Sequence, residues 1–354
     1  MIYFNAMQKK RLGNSDIFIP AMTVGCWSFG GGEYWGEQSQ KDVNNVVSAA
    51  LDMGVNAFDT AEAYNDGESE RSLGIALRGR RNEAIVISKI NPSNCRNVRQ
   101  HCINSLQRLN MDYLDVYMLH WPINQLAMKH FTSDEQIIKS PPTIEEAYKQ
   151  LAELKKEGLI RSVGMSNFGR SQMGEAVSTG VQIDVNELAY NIVSRAIEAE
   201  IAPYCMEHNI SIIGSMGLQQ GLLAGIYLTA DDVPKHQAHS RHFADFRGAE
   251  TSRHGEEGAE KEIFEVIDRL REIACSLNIR ISQLAIAWIL KKPFMTSTLV
   301  GSRNITELKM NADACSLAIS DEIEALIDEI SLPVLQLLGN SPDYYEHRLK
   351  SRIY

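Results

Sequence analysis

Three apolar segments of the chain end at or next to a side chain that can exchange a proton or carry charge. Asp59 lies in NAFDT, Lys89 ends IVISK and His120 ends YMLH. The three residues stand 30 and 31 positions apart, which is the length of one strand, one helix and their connections. If the segments are parallel strands of one barrel, equal positions at their carboxyl ends converge on one mouth. The spacing therefore predicts a single pocket that holds a carboxylate, an ammonium and an imidazole.

A tyrosine, Tyr64, follows five residues after Asp59 in the loop segment DTAEAYNDGESE. A phenol has an ordinary pKa of about 10. A neighbouring ammonium such as that of Lys89 lowers this pKa, and a carboxylate holds the ammonium in place. The set predicts that Tyr64 is a general acid and that His120 donates a hydrogen bond to an oxygen that gains negative charge. Each of these residues alone is more often a helix cap, a packing residue or a surface residue. The hypothesis therefore depends on the regular spacing of Asp59, Lys89 and His120.

Positioning these side chains requires a regular alternation of strands and helices. Short apolar runs alternate with longer amphipathic patterns, and the spacings of Ser39 with Asp42 and of Thr143 with Glu146 resemble helix capping boxes. An α/β fold follows, a closed (β/α)8 TIM barrel that forms one domain over residues 1–354. An open doubly wound sheet is the alternative, which the lack of a G-x-G-x-x-G motif after the first run disfavours. The eight predicted strands are MTVGCW, NAFDT, EAIVISKI, YLDVYMLH, IRSVGMSN, IDVNELAY, SIIGSM and TSTLVGS.

Three segments fall outside the repeat. Residues 9–20 contain an L-G-N-S turn and predict a hairpin that closes the barrel floor. Residues 229–260 are polar and glycine-containing, and predict a long functional loop after the seventh strand. The C-terminal segment predicts a helix over 321–331, followed by a tail that ends in PDYYEHRLKSRIY.

The composition excludes several classes of protein. Thirty-five Lys and Arg against 45 Asp and Glu give a net charge of −10, so a nucleic acid is not an expected partner. The six cysteines form no C-x-x-C pair, which predicts reduced thiols in a cytoplasmic protein. The most apolar long stretch, 210–228, contains too many polar side chains for a membrane span. The first residues do not resemble a signal peptide, and Met7 serves equally well as a start, with residues 1–6 as a leader.

Several ordered motifs resemble those of the aldo-keto reductase superfamily, in its bacterial type, from about Leu12 to Leu332. The motifs are G-C-W-S-F-G-G, D-T-A-E-x-Y-x-x-G-x-S-E, S-K, L-D-V-Y-M-L-H-W-P, V-G-M-S-N-F, G-L-L-A-G and V-G-S-R-N-x-x-E-L-K-x-N. The resemblance implies a (β/α)8 barrel, a nicotinamide cofactor and a catalytic tetrad of Asp59, Tyr64, Lys89 and His120. In that family, hydride passes from the nicotinamide to a carbonyl carbon while the tyrosine protonates the oxygen, and the cofactor carries the hydride.

The resemblance also implies a path for the cofactor across the barrel mouth. Besides Asp59, it assigns Cys26, Trp27, Ser166 and Asn167 to the nicotinamide end, Leu218, Gln220 and Gly221 to the pyrophosphate, and Gly301, Ser302, Arg303 and Asn311 to the adenosine part. A helix N-terminus after the eighth strand suits the adenosine phosphate, because free N–H groups point outward there. NADP(H) is favoured by the habit of the family, and NAD(H) is possible.

The chain departs from the family pattern at a few of these cofactor positions. Glu187 stands where relatives have a glutamine, and a carboxylate accepts from the nicotinamide carboxamide but does not donate to it. Ser215 and Met216 stand where relatives place an aromatic ring that stacks on the nicotinamide. Glu307 stands near the predicted 2′-phosphate site, where its carboxylate repels a phosphate, whereas Arg303 is able to grip one.

The loop after the seventh strand carries a group of histidines, and three tryptophans come from segments at the barrel mouth. The histidine spacing permits a transition-metal site, but a solvated polar lid over the mouth is the preferred interpretation, and no metal is predicted. The tryptophans either wall an apolar substrate pocket or pack as ordinary core residues. The histidines are His236, His239, His242 and His254, and the tryptophans are Trp27, Trp35 and Trp121.

Three functions from different classes follow from these residues. The leading hypothesis is NAD(P)H-dependent reduction of a small aldehyde or ketone, or oxidation of the alcohol. The second is a nucleotide-binding redox sensor with slow turnover, similar to potassium-channel beta subunits and motivated by Glu187 and Ser215. The third is a Schiff-base lyase using Lys89, which Asp59 disfavours because it keeps the lysine charged. The sequence identifies neither the carbonyl substrate nor the oligomeric state.

Overall fold

A closed barrel of eight parallel strands forms the centre of the protein. The computed structural model describes residues 3–4 and 7–354, so residues 1, 2, 5 and 6 of the leader predicted before Met7 lie outside the described residues. The eight strands follow one another around the barrel in chain order, so the (β/α)8 fold and all eight predicted strands are confirmed. Their bounds are β4 Met22–Gly25, β5 Ala57–Asp59, β6 Ile85–Ile90, β7 Leu114–Leu119, β8 Ile160–Ser166, β9 Val185–Ala189, β10 Ser211–Ser215 and β11 Met295–Gly301.

Twelve helices of the described chain connect these strands and cover the barrel. Thr143 and Glu146 form the predicted capping box, and Ser39 Oγ accepts a hydrogen bond from the Asp42 amide, so both helix starts are confirmed. Two short helices between β7 and the helix that begins at Ile144 were not predicted. The helices are α1 Gln40–Asp52, α2 Glu68–Ala76, α3 Val98–Leu109, α4 Gln125–Phe131, α5 Glu135–Lys139, α6 Ile144–Lys156, α7 Arg170–Ser178, α8 Ile201–Glu207, α9 Glu260–Ser276, α10 Ile281–Lys291, α11 Ile305–Cys315 and α12 Asp321–Leu338.

The predicted N-terminal hairpin consists of antiparallel strands β2 (Lys9–Arg11) and β3 (Phe18–Pro20). Its apolar side chains Leu12, Ile17 and Ile19 are buried with strand residues that point into the barrel interior. The packing fills the barrel from below, because interior side chains form a solid core rather than a pore. The hairpin therefore confines access to the opposite, carboxyl end of the strands.

The chain termini lie outside the barrel repeat. β1 (Tyr3–Phe4) pairs antiparallel with β12 (Leu317–Ala318). α12 is longer than the predicted helix over 321–331 and continues through Pro333. No single helix in the described ranges has the length and hydropathy of a membrane span, and α9 with α10 passes that test only as a pair bent by 95°.

A close approach of α2 to α3 predicts a strong effect of one added methyl group. A Cβ on Gly74 would overlap the carbonyl oxygen of Leu109, so Gly74→Ala forces the two helices apart. We expect the free energy of unfolding to fall by about 1–3 kcal/mol, measured by chemical denaturation. Gly174→Ala, in α7, is the matched control, because its Cβ meets only the end of the Arg170 side chain at 3.5 Å.

The Gly174→Ala control is expected to be neutral or to stabilise the protein by up to about 1 kcal/mol, because alanine favours helix formation over glycine. Equal stability of the two variants would contradict the close helix approach at Gly74.

Candidate active site

The barrel brings three of the predicted catalytic side chains to one end. Asp59 is the last residue of β5, Lys89 lies near the end of β6 and His120 follows β7. Lys89 is fully buried, and its ammonium donates to Asp59 Oδ1, to the Thr60 carbonyl at 3.2 Å and to the Tyr64 hydroxyl at 3.2 Å. Lys89 thus contacts both Asp59 and Tyr64 directly.

Aromatic rings fix the orientation of the Tyr64 phenol. The Tyr64 ring stacks on Trp27 with centroids 5.8 Å apart and meets His120 edge-on at 5.5 Å. The backbone carbonyl of His120 accepts a hydrogen bond of 3.0 Å from the Asn167 side chain. These rings restrict the rotation of the phenol. Its hydroxyl therefore remains in contact with the Lys89 ammonium, next to His120.

The charge on Lys89 is stabilised by two carboxylates. Burial alone would lower the pKa of Lys89, but Asp59 and Glu187 raise it well above its ordinary value. Glu187 Oε1 lies 3.5 Å from the Lys89 nitrogen. An amine must lose its proton before it attacks a carbonyl carbon, so this environment disfavours the Schiff-base hypothesis.

The pKa of Tyr64 differs from the value that the sequence suggested. Burial raises it, and although Lys89 lowers it, Asp59 and Glu187 raise it further, so the phenol pKa lies above its ordinary value. The expectation of a lowered pKa was wrong because it counted the ammonium and omitted both desolvation and the second carboxylate. Burial also lowers the pKa of His120 well below its ordinary value, and Lys89 adds to this shift. Tyr64 therefore keeps its proton and His120 is neutral at pH 7.

Comparison with known proteins agrees with this site and fold. A sequence profile of the Aldo/keto reductase family matches residues 21–332. The chain belongs to that family. The NADH-specific methylglyoxal reductase of Escherichia coli K12 is 30% identical to this aldo-keto reductase over 350 residues, covering 92% of this chain and 98% of the relative. A probable voltage-gated potassium channel subunit beta of Oryza sativa subsp. japonica is 26% identical, covering 91% and 97%.

The fold of this aldo-keto reductase is similar to solved structures of aldo-keto reductases. The crystal structure of an aldo-keto reductase from Klebsiella pneumoniae in complex with NADPH superimposes with a TM-score of 0.70 and 25% sequence identity. The match covers 92% of this chain and 96% of that one.

The residues predicted at the nicotinamide end lie around the tetrad. Ser166 pairs in register with Glu187 on the neighbouring strand, and Asn167 follows Ser166 with a left-handed φ of 62°. Ser215 is the last residue of β10. Met216 follows it with a left-handed φ, and its carbonyl accepts a hydrogen bond from the side chain of Asn191. Cys26 is buried, and its amide donates to the Asp59 carbonyl, so it lies behind the tetrad. In the aldo-keto reductase these residues lie at or near the carboxyl ends of β4, β8, β9 and β10, on the rim of the barrel mouth.

The segment predicted along the pyrophosphate forms a short 3-10 turn, Gln219–Ala224, after β10. Gln220 and Gly221 depart from helical geometry inside it, with φ angles of 52° and 97°. Gln220 accepts a hydrogen bond of 2.7 Å from the Tyr34 hydroxyl, and Leu218 is the residue that precedes the turn. The loop after β4 therefore contacts the loop after β10.

The predicted adenosine end contains one residue with a different role from the one expected. Arg303 donates to the carbonyls of Trp35 at 2.8 Å and Glu37 at 2.6 Å, and to the side chain of Gln38 at 2.8 Å. The guanidinium group of Arg303 is therefore hydrogen-bonded to the loop after β4. This corrects the expectation that the group is available to bind a 2′-phosphate. The carbonyls of Trp35 and Glu37 and the side-chain oxygen of Gln38 satisfy the guanidinium in the way that phosphate oxygens would.

The other adenosine-end residues lie between the end of β11 and the middle of α11. Asn311 donates to Ser302 Oγ at 3.1 Å, and space is open in front of the Gly301 backbone. Glu307 accepts a hydrogen bond of 2.8 Å from the Arg303 amide. A carboxylate thus occupies part of the helix N-terminus that the sequence assigned to a phosphate.

The long loop over 229–260 is packed rather than solvated. Arg241, His242 and His254 are buried, which corrects the prediction of a solvated lid. His242 Nε2 contacts Ser194 Oγ at 2.8 Å, and His239 stacks on Tyr345 with ring centroids 4.9 Å apart. The described residues contain no group of three or more His, Cys, Asp or Glu side chains arranged to hold a metal ion.

The C-terminal tail completes the mouth and was not predicted to do so. Arg352 is buried, pairs with Asp343 and lies 3.9 Å over the ring of Trp121. Trp27 and Trp35 pack against each other edge-on at 5.3 Å, apart from Trp121. The aromatic-rich tail sequence was the available signal, but its partners come from distant loops, and no periodicity relates them.

Proposed function

We propose that this aldo-keto reductase, an NAD(P)-dependent oxidoreductase, reduces an aldehyde or ketone to the alcohol, or catalyses the reverse oxidation, with Tyr64 as the proton donor. One observation carries the proposal. Lys89 lies between Asp59 and the Tyr64 hydroxyl in a buried pocket beside a neutral His120. A polar pocket of this kind is able to stabilise charge as it develops on a substrate oxygen.

Each side chain has a defined task in this proposal. Tyr64 gives its proton to the carbonyl oxygen, and Lys89 stabilises the phenolate that remains. Asp59 holds the ammonium in place, and His120 donates a hydrogen bond to the same oxygen. The nicotinamide, when bound, supplies the hydride.

The residues around the tetrad fit a nicotinamide cofactor. Glu187 Oε2 and His120 Nδ1 are buried and have no hydrogen-bond partner within the described chain, so this rim holds polar atoms that a ligand could satisfy. Ser166, Asn167 and Glu187 would hold the carboxamide. A relative named as NADH-specific and a structure with NADPH both lie among the similar proteins, so the proposal includes both cofactors and retains the preference for NADP(H).

A variant of Arg303 separates two roles for this residue. If the guanidinium of Arg303 holds the loop over 31–38 in place, Arg303→Ala releases that loop. We then expect the dissociation rates of NADH and of NADPH to increase by similar factors of about ten. The measurement is stopped-flow tryptophan fluorescence, because Trp27 and Trp35 lie in or next to the loop. Arg303→Lys should behave like the alanine variant, since an ammonium cannot reproduce three planar contacts.

Loss of affinity confined to NADPH, with rescue by Arg303→Lys, would instead assign Arg303 to a 2′-phosphate and contradict the loop-holding role.

A panel of carbonyl compounds tests the proposed reaction. Purified protein is mixed with NADH or NADPH and with small aldehydes, ketones and 2-oxoaldehydes, and the absorbance of the reduced nicotinamide is followed. We expect cofactor oxidation that requires both carbonyl and enzyme. Tight cofactor binding without oxidation by any carbonyl of the panel would contradict the reductase proposal.

A second candidate function is a nucleotide-binding sensor with slow turnover. It is favoured by the closure of the loop over 31–38 through Arg303 and by similarity to a protein named as a potassium channel subunit beta. The sensor predicts one slow turnover limited by release of the cofactor. A burst of cofactor oxidation followed by a slow steady state would support it.

The proposal also covers organisation and location. One hydrophobic cluster runs from Met22 in β4 to Leu338 in α12, which supports a single domain over 1–354. All six cysteines are free thiols, which supports a reducing compartment such as the cytoplasm. The proposed partner is a small carbonyl or alcohol substrate.

A further inference from the structure

We infer that Asp59 and Glu187 hold one proton between them in the cofactor-free protein and that, when the cofactor binds, this proton stays on Glu187 and is donated to the nicotinamide carboxamide. The first half concerns this chain alone. The second half rests on the proposed function, because it requires the cofactor to bind at this rim.

The two carboxyl groups reach the same point from opposite sides of the barrel. Asp59 ends β5, and Glu187 lies on β9, four strands away in either direction around the barrel. Both side chains are buried, with exposed fractions of 1% and 5%. Asp59 Oδ1 accepts from Lys89 and Glu187 Oε1 lies 3.5 Å from the same nitrogen, so the two carboxyl groups meet at one ammonium.

The available donors are too few for two ionised carboxylates. The three N–H groups of Lys89 go to Asp59 Oδ1, the Thr60 carbonyl and the Tyr64 hydroxyl. Asp59 Oδ2 and Glu187 Oε2 are buried without a partner among the described residues. A proton between the carboxyl groups supplies the missing donor, as in other buried pairs of acids.

The surrounding titratable groups do not compensate a second negative charge. The nearby groups besides Lys89 are Tyr64, Cys26 and His120. Burial raises the pKa of Cys26 and of Tyr64 and lowers that of His120, so all three are neutral at pH 7. Burial, and then Glu187, also raises the pKa of Asp59. One shared proton leaves one negative charge against the single ammonium, so the buried group has no net charge.

The shared proton changes what Glu187 can do for a carboxamide. An ionised carboxylate only accepts hydrogen bonds, whereas a carboxylic acid offers an O–H donor and a C=O acceptor, as a glutamine amide offers N–H and C=O. As the pH rises through the titration of the pair, Glu187 loses its donor and a second negative charge appears beside Tyr64. Affinity for the cofactor therefore falls as the pH rises, and the proton on Tyr64 is held more tightly.

Infrared spectroscopy of the cofactor-free protein tests the shared proton. We expect a carboxylic-acid C=O band at pH 7 that disappears in Glu187→Gln and also in Asp59→Asn, because either remaining carboxylate pairs with Lys89 and ionises. Glu62→Gln is the matched control. Glu62 is a partly buried carboxylate whose pKa is lowered, despite burial, by hydrogen bonds from His101 and the Asn91 amide, so its removal should leave the band unchanged.

Cofactor affinity against pH, followed by quenching of tryptophan fluorescence, tests the role of Glu187. We expect the dissociation constant of the wild-type protein to rise about tenfold across the titration of the pair, and that of Glu187→Gln to stay level. Absence of the band in the wild-type protein overturns the shared proton. A band with a level wild-type affinity, or the same rise in Glu187→Gln, overturns the carboxamide role. A band that behaves as expected in a protein that reduces no carbonyl supports the shared proton and contradicts the proposed function alone.

Discussion

Tyr64→Phe is expected to lower kcat/KM for carbonyl reduction by a factor of about 10²–10⁴, the usual contribution of a general acid. The substitution removes one oxygen whose contact in the described chain is with Lys89. The ring keeps its stacking on Trp27 and its edge contact with His120, so the fold should not change. The measurement is steady-state reduction of the best aldehyde from the panel, with cofactor affinity followed by tryptophan fluorescence.

Tyr34→Phe is the matched control, because it also removes a phenol hydroxyl and keeps the ring. The Tyr34 hydroxyl also lies within the aromatic cluster, but it donates to Gln220 and not to Lys89. We expect reduction within a few-fold of the wild-type rate and a modest loss of cofactor affinity. Undiminished reduction by Tyr64→Phe, or an equal loss in both variants, would contradict the proton-donor assignment.

Lys89→Met is expected to lower reduction by a similar or larger factor and also to make stability depend on pH. Lys89 contacts the Tyr64 hydroxyl and lies 3.5 Å from Glu187 Oε1. In the proposed mechanism the ammonium stabilises the phenolate and balances the buried carboxyl pair, so its loss should affect both catalysis and folding. Without the cation, the pKa of Asp59, which burial already raises, rises further above its unfolded value. A carboxyl group with a raised folded pKa contributes stability that is fully present at low pH and is lost as the pH rises through that pKa.

We therefore expect the free energy of unfolding of Lys89→Met to match that of the wild-type protein most closely near pH 4 and to fall behind it toward pH 8. Lys292→Met provides the control, because Lys292 is a buried lysine that pairs with Asp328 at 2.7 Å and Glu324 at 3.0 Å, away from the tetrad. That variant should lose stability and keep its activity once folded. Active Lys89→Met would contradict the role of the ammonium.

The barrel itself was predictable because its signals are local and periodic. Buried parallel strands read as short apolar runs, and the residues at their carboxyl ends share a phase, so Asp59, Lys89 and His120 could be placed together without a structure. The hairpin over 9–20 was likewise predictable from its L-G-N-S turn.

The loop contacts were not predictable, because they join residues that no period relates. The resemblance assigned Arg303 to the cofactor. In the structure its guanidinium donates to the carbonyls of residues 35 and 37, more than 260 positions away in the sequence. The ion pair between Lys89 and Glu187 depends on side-chain reach across the barrel interior, which strand register alone does not specify. The α4 and α5 helices and the packed tail fall in the same category, since nothing in the repeat requires them.

A single-turnover experiment observes hydride and proton transfer together. Wild-type protein and Tyr64→Phe are loaded with reduced cofactor that carries deuterium at both positions of carbon four, then mixed with an aldehyde, and the alcohol is analysed by mass spectrometry. We predict one deuterium on the carbinol carbon with the wild-type protein and at least 100-fold slower formation of the same product with the variant. Unlabelled alcohol, or labelled alcohol formed equally fast by both proteins, would contradict reduction by a bound nicotinamide with Tyr64 as the acid.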